Sequence, residues 1–114
     1  MSPNELYDEV LLEFPSVWPQ DPSLPWESLY AGESASIERI SNLLARYIDS
    51  SEVFILVHSS PGIGVIMHRD AAPIFISDFF LKADIQVSDK QYQCFVEISR
   101  VGVGAGWCKQ SKNA

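Results

Sequence analysis

The chain has 114 residues, of which 46% are hydrophobic and 20% charged, with a formal net charge of −7. This length supports a single domain, residues 1–114, with a substantial core, and the composition excludes a disordered chain. The acidic balance argues against a nucleic-acid binder, and the apolar runs are far shorter than the ~20 residues of a membrane-spanning helix.

The acidic charge is concentrated in the first half of the chain. Residues 1–52 carry ten acids and two bases, a net charge of −8, whereas residues 53–114 carry five acids and six bases, a net charge of +1. Such an acidic half steers association with a basic partner, although the same acids would also keep a small protein soluble.

The N-terminus predicts an amphipathic helix over residues 3–14. Ser2 suits the N-cap, Pro3 the first helical position, and Glu5 completes a capping box. The apolar residues of this segment share one face: Leu6, Val10, Leu11 and Phe14. The segment is acidic and lacks the basic region of a secretory signal, so we expect a cytoplasmic location.

A proline-rich segment follows at residues 15–31. Its four prolines exclude a helix or a central strand, and its aromatic residues predict an extended path pinned to the surface. It would cover one face of the central strands, or alternatively serve as a polyproline ligand for another domain. Residues 36–49 then predict the second helix, because their apolar residues recur at i, i+3 and i+4.

Residues 53–68 predict the hairpin at the centre of the fold. Val53–Val57 is apolar at every position, as in a strand whose two faces are both covered, and Ile63–Met67 forms the second strand. For the stretch 70–83 a helix opened by Pro73 is favoured over a short strand followed by a turn.

Residues 84–107 predict a meander of three strands. With tight turns, Ile85 lies opposite Cys94, and Cys94 lies opposite Ala105, which places the apolar side chains on one face. In that register Cys94 does not meet Cys108, so no disulfide is expected. The other face would carry alternate glycines beside Phe95, either as a bare binding strip or as a surface that Phe95 itself covers.

These elements predict an α+β fold. An antiparallel sheet of about five strands, formed by hairpin 53–68 and meander 84–107, would have helices 3–14 and 36–49 packed on one face.

Catalytic chemistry is weakly indicated. If the hairpin is centred on Ile63, His58 and His68 lie opposite one another, and Asp70 could join them as a third metal ligand. The same histidines could equally be imidazoles at the open end of a hairpin whose hydrogen bonds are satisfied within the protein. Because spacing fixes no further ligand, we expect no catalytic residues, no cofactor and no metal.

In size, charge and fold class the chain resembles the immunity proteins of bacterial toxin–immunity pairs. The resemblance implies stoichiometric neutralisation of a toxin domain, often through an acidic surface that covers the toxin's active site. No motif carries the resemblance, so it assigns no binding residue. The expected partner is a basic toxin or effector domain.

Two other functions remain open. The chain also looks like the small acidic chaperones of bacterial secretion systems, which are α/β dimers that hold an extended effector segment. The hairpin would then be a homodimer or client surface. The third is a small metal- or His-dependent enzyme that uses His58, His68 and Asp70.

The partner-binding surface is expected in the acidic, aromatic N-terminal half, because Trp is enriched among interface hot spots and charges govern association rates. Its candidate residues are Trp18, Asp21, Trp26, Glu27 and Glu33. A competing surface is the glycine strip with Phe95 and Glu97.

Overall fold

The computed structural model describes residues 2–14 and 22–109, which form three α-helices and eight strands. The helices are α1 (Pro3–Leu11), α2 (Ile37–Tyr47) and α3 (Ala72–Asp78). The strands are β1 (Glu27–Ser28), β2 (Tyr30–Ala31), β3 (Ser34–Ala35), β4 (Glu52–His58), β5 (Ile63–His68), β6 (Asp84–Ser88), β7 (Cys94–Ile98) and β8 (Val103–Cys108).

The main sheet is antiparallel and has six strands in the order β1-β8-β7-β6-β4-β5, while β2 and β3 form a separate hairpin. The predicted α+β class with an antiparallel sheet is therefore confirmed. The additional strand is β1, which comes from the proline-rich segment and pairs with β8. Within the described residues, no helix is long and apolar enough to cross a membrane.

The helix starts follow the predicted caps. Ser2 Oγ accepts a hydrogen bond from the Glu5 backbone N–H at 3.2 Å, and the Glu5 carboxylate accepts one from the Ser2 backbone N–H at 2.9 Å. Ser36 caps α2 by accepting from the Arg39 backbone N–H. Both helices end two or three residues before the predicted ends, because their last predicted residues lie in turns or extended backbone.

The two predicted helices lie on opposite faces of the sheet, so the prediction that they share one face is wrong. Val53, Ile55 and Val57 of β4 pack in a core with α2, whereas Leu56 packs in a second core with Val10 and other α1-side residues. We call these sides the α2 face and the α1 face. A central strand that is apolar at successive positions needs cover on both faces, which α1 and α2 supply separately.

The ambiguous stretch 70–83 contains a helix, as favoured. A 3₁₀ turn at Arg69–Ala71 leads into α3, which has Pro73 in its first turn. Ala72, Ile76 and Phe80 belong to the core on the α2 face. This stretch therefore packs on the same side of the sheet as α2.

The meander has a different register from the predicted one, because both connections are longer than tight turns. Ile85 pairs with Ile98 rather than with the predicted Cys94. This β6–β7 register differs from the predicted one by an even number of residues, so the side chains of both strands keep their predicted faces. Ile98 pairs with Gly104 across a loop in which Gly102 has a φ of +95°. The β7–β8 register differs from the predicted one by an odd number of residues, so the β8 glycines lie on the α2 face.

The β8 glycines are therefore not a bare strip beside Phe95. A Cβ atom at Gly104 would lie 2.7 Å from Leu29 Cδ1, and one at Gly106 would overlap the Tyr47 ring. Their lack of side chains lets α2 and the residues before it approach the sheet closely. Phe95 itself is fully buried on the α1 face.

The same shift pairs Cys94 with Cys108, and the two residues form a disulfide. The prediction of two free thiols is therefore wrong, and its cause is the mistaken register at the β7–β8 connection. The bridge ties the ends of two adjacent strands and closes a loop with a sequence separation of 14.

Titration of the unfolded, unreduced protein should find no free thiol. A loop of this length gives a disulfide about 3 kcal/mol of stabilisation in the chain-entropy model. Cys94→Ala with Cys108→Ala should lower the free energy of unfolding by about that amount. Two free thiols in the titration would contradict the bridge. Equal stabilities of the double variant, the reduced wild type and the oxidised wild type would also contradict it.

Candidate functional site

The two histidines do not meet. His68 pairs with Glu52 at one end of the hairpin, whereas His58 lies at the other end of β4, about 20 Å away at the usual strand rise. The hairpin is centred near residue 60 rather than Ile63, because β5 begins directly after the Ser59–Gly62 turn. His68 Nδ1 instead accepts from the Asp70 backbone N–H at 3.1 Å. No group of three metal-ligating side chains occurs in residues 2–14 and 22–109.

His58 belongs to a chain of hydrogen bonds across the α1 face. Its Nδ1 lies 2.8 Å from the Tyr7 hydroxyl of α1, and its Nε2 lies 2.7 Å from Gln86 Oε1 of β6. Gln86 Nε2 donates to Glu97 Oε2 of β7 at 3.3 Å, and the Trp107 indole of β8 donates to the same oxygen at 3.0 Å. We call these five residues the polar chain.

The geometry of the polar chain fixes its direction. Gln86 Oε1 can only accept, so His58 Nε2 is the donor to it, and in the tautomer protonated at Nε2 the other ring nitrogen, Nδ1, accepts from the Tyr7 hydroxyl. Every donor in the chain consequently points toward Glu97. The partners come from α1, β4, β6, β7 and β8, so formation of the chain requires α1 to be docked.

Glu97 is the electrostatic centre of this arrangement. It is only 5% exposed, and burial raises its pKa to about 7, while the hydrogen bonds from Trp107 and Gln86 oppose the shift and Asp84 adds to it. A carboxyl group with this pKa changes its protonation near neutral pH. The sequence predicts Glu97 as part of a competing partner surface, because an isolated Glu in a strand does not indicate that other residues bury it.

The structure brings together only some of the residues expected at the partner surface. Trp18 and Asp21 lie outside the described residues. Trp26 is half-buried just before β1, and Glu33 is exposed in the turn between β2 and β3. Glu27 pairs with Arg46 of α2, so its charge is locally balanced. Of the competing pair, Phe95 is fully buried against Trp107, with ring centroids 4.8 Å apart, and cannot contact a partner directly.

A groove that the sequence analysis missed runs between α1 and the sheet. It has a volume of about 500 Å³. Its lining is Leu6, Glu9, Val10, Glu13, Phe54, Ile66 and Tyr92. Leu6, Glu9 and Val10 of α1 recur at i, i+3 and i+4, the spacing of one helix flank, and Glu13 follows just after the helix. Nothing in the sequence indicates that β4 and β5 lie opposite that flank.

No family model, curated protein or solved structure matches this chain. Its function is therefore argued from the polar chain and the groove, both of which lie on the α1 face. The polar chain is an internal feature with little solvent access at Glu97. The groove is open and bordered by carboxylates, so it is the part of this face that another molecule could contact.

The buried Glu97 predicts a loss of stability as pH rises. Its folded pKa of about 7 exceeds the ordinary value of 4.5, so the folded state binds the proton more tightly. The free energy of unfolding should therefore fall between about pH 4.5 and 7, by up to about 3 kcal/mol, and level off above pH 7. Urea unfolding across this range measures the slope.

Glu97→Gln should remove this component of the slope and be more stable than wild type at pH 8, because an amide keeps the acceptor oxygen without the buried charge. Glu38→Gln, at an exposed position of α2, is the matched control and should keep the wild-type slope. A wild-type slope in Glu97→Gln would show that another group carries the effect.

Proposed function

We propose that the protein acts by stoichiometric binding and neutralises a cognate toxin domain, as an immunity protein does. The observation that carries this proposal is the acidic α1 beside an open apolar groove. Glu5, Asp8, Glu9 and Glu13 are all exposed, and residues 1–14 contain no Lys or Arg. A surface of this kind favours rapid association with a basic protein.

Trp26, just before β1, and Glu33, between β2 and β3, remain proposed contacts away from the groove. Trp18 and Asp21, which lie outside the described residues, also remain proposed contacts. A half-buried Trp offers a large apolar contact area of the kind that interface hot spots use. Glu27 has a smaller proposed role, because Arg46 already neutralises its charge. The partner is proposed to be a basic toxin or effector domain.

A chaperone for an effector segment is the second candidate, favoured by the outer edge of β5. In the described part of the chain β5 pairs only with β4, and Ile66 on it is 44% exposed. An extended client could add to such an edge through main-chain hydrogen bonds. The enzyme that would combine His58 with His68 and Asp70 loses its support, since the hairpin separates the two histidines.

The proposed cytoplasmic location has one argument against it. Cys94 and Cys108 form a disulfide, although the sequence predicts two free thiols. Disulfides persist mainly in oxidising compartments. Alkylation of thiols in intact producing cells tests the location: trapping of both cysteines as free thiols supports the cytoplasm, and their absence supports an oxidising compartment.

Co-expression with the product of the neighbouring reading frame separates the two functions. Protection of cells from a toxic product, with a one-to-one complex on purification, is the result expected of an immunity protein. Export of the product that depends on this chain would instead support the chaperone. Loss of toxicity at substoichiometric amounts of this chain would contradict neutralisation by binding.

Within that complex, Trp26→Ala should raise the dissociation rate, because truncation of a hot-spot aromatic costs about 2 kcal/mol or more, a factor of about 30. Glu33→Lys should mainly slow association and weaken its salt dependence. Surface plasmon resonance at two salt concentrations measures both rates, with Ile74→Ser at an exposed position of α3 as a control. Unchanged association and dissociation rates in Trp26→Ala would contradict the proposal that Trp26 contacts the partner.

A further inference from the structure

We infer that the groove between α1 and the sheet receives an arginine side chain of the basic partner. This inference rests on the proposed function, because it specifies what the acidic face binds. The occupant must combine an apolar stem with a cationic end, since the groove has an apolar floor and an acidic wall.

The floor is formed by apolar groups from three elements. Leu6 and Val10 of α1 face Phe54 of β4 and Ile66 of β5. Tyr92 closes one end, stacked on Phe54 with ring centroids 5.1 Å apart and an interplanar angle of 12°. The methylene groups of a long cationic side chain can cover such a surface while its charged end stays at the rim.

The wall is formed by Glu9 and Glu13 of the α1 segment, which lie four residues apart. Both carboxylates border the same groove, so a cation bound there would be attracted by two like charges at once. Burial raises the pKa of Tyr92, and the carboxylates of Glu13 and Glu9 raise it further, which places both charges within electrostatic reach of the groove end. Among the described residues, no Lys or Arg lines the groove.

The adjacent surface already holds one example of the same recognition. Lys90 Nζ lies 5.2 Å from the centroid of the Phe54 ring and 3.3 Å from Glu52 Oε1. Phe54, which lines the groove, therefore already contacts one cation on the adjoining surface. Arginine suits the groove better than lysine, because its planar guanidinium stacks on aromatic rings and can donate to two carboxylates at once.

The test uses a blocked pentapeptide, acetyl-Ala-Arg-Ile-Arg-Ala-amide, titrated into the whole protein and followed by amide chemical shifts. We expect saturable shifts centred on residues 6–13, 54, 66 and 92. The same peptide with citrulline in place of arginine should bind about tenfold more weakly, because one charge-assisted contact is worth about one factor of ten.

Glu9→Gln with Glu13→Gln should weaken the arginine peptide by a similar factor, whereas Glu38→Gln with Asp49→Asn, which removes two exposed carboxylates elsewhere, should leave its affinity unchanged. Equal binding of the citrulline peptide, shifts centred outside the groove, or no shift at millimolar peptide would each overturn the inference. Protection in the co-expression experiment is scored separately. If the protein protects cells but does not bind the peptide, only the arginine site in the groove is refuted, and the proposed function is not.

Discussion

Burial of β4 on both of its faces is the constraint on which the rest of the structure depends. Val53, Ile55 and Val57 are fully buried on the α2 face, and Leu56 is 1% exposed on the α1 face. At about 25 cal/mol per Å² of apolar surface, neither face could be left in water without a large loss of stability. The chain meets this requirement by sending α1 to one side and α2 with α3 to the other.

The docking of α1 depends on an unusually close approach to β5. A Cβ atom at Gly64 would lie 2.6 Å from the Tyr7 backbone nitrogen, so only glycine lets the helix backbone come this near the strand. The approach brings the Tyr7 hydroxyl to His58 and sets the flank of α1 beside Phe54 and Ile66. One contact thus helps to create both the polar chain and the groove.

The polar chain has a cost that its hydrogen bonds offset. Glu97 and Gln86 are buried in a sheet that is otherwise largely apolar, and burial of polar groups without partners is expensive. In the described residues every buried side-chain nitrogen and oxygen has a hydrogen-bond partner. The raised pKa of Glu97 indicates that the offset is incomplete for the ionised carboxylate.

Local signals in the sequence predicted the elements well. The capping box at Ser2, the apolar periodicity of residues 36–49 and the apolar run Val53–Val57 each act over a few residues, and each predicted element is present. Strand register was not predictable in the same way, because it depends on loop conformations such as the positive φ of Gly102.

The register errors account for the errors in the candidate site. The loop at Gly102 sets the register that pairs Cys94 with Cys108. The Ser59–Gly62 turn sets the register that places His58 and His68 at opposite ends of the hairpin strands. The face chosen by each helix was equally hidden, because an amphipathic pattern shows that a helix has a buried side but not which surface buries it. The groove depends on that choice, so it emerged only from the structure.

Amide hydrogen exchange of the protein, alone and in complex with the proposed partner, tests most directly the claim that the α1 face is the binding face. We expect slower exchange on binding in residues 4–14 and 63–68, at the groove and the adjoining edge of β5, and at the further proposed contacts Trp26 and Glu33. Slower exchange confined to residues 37–47 and 72–78, on the α2 face, would contradict it.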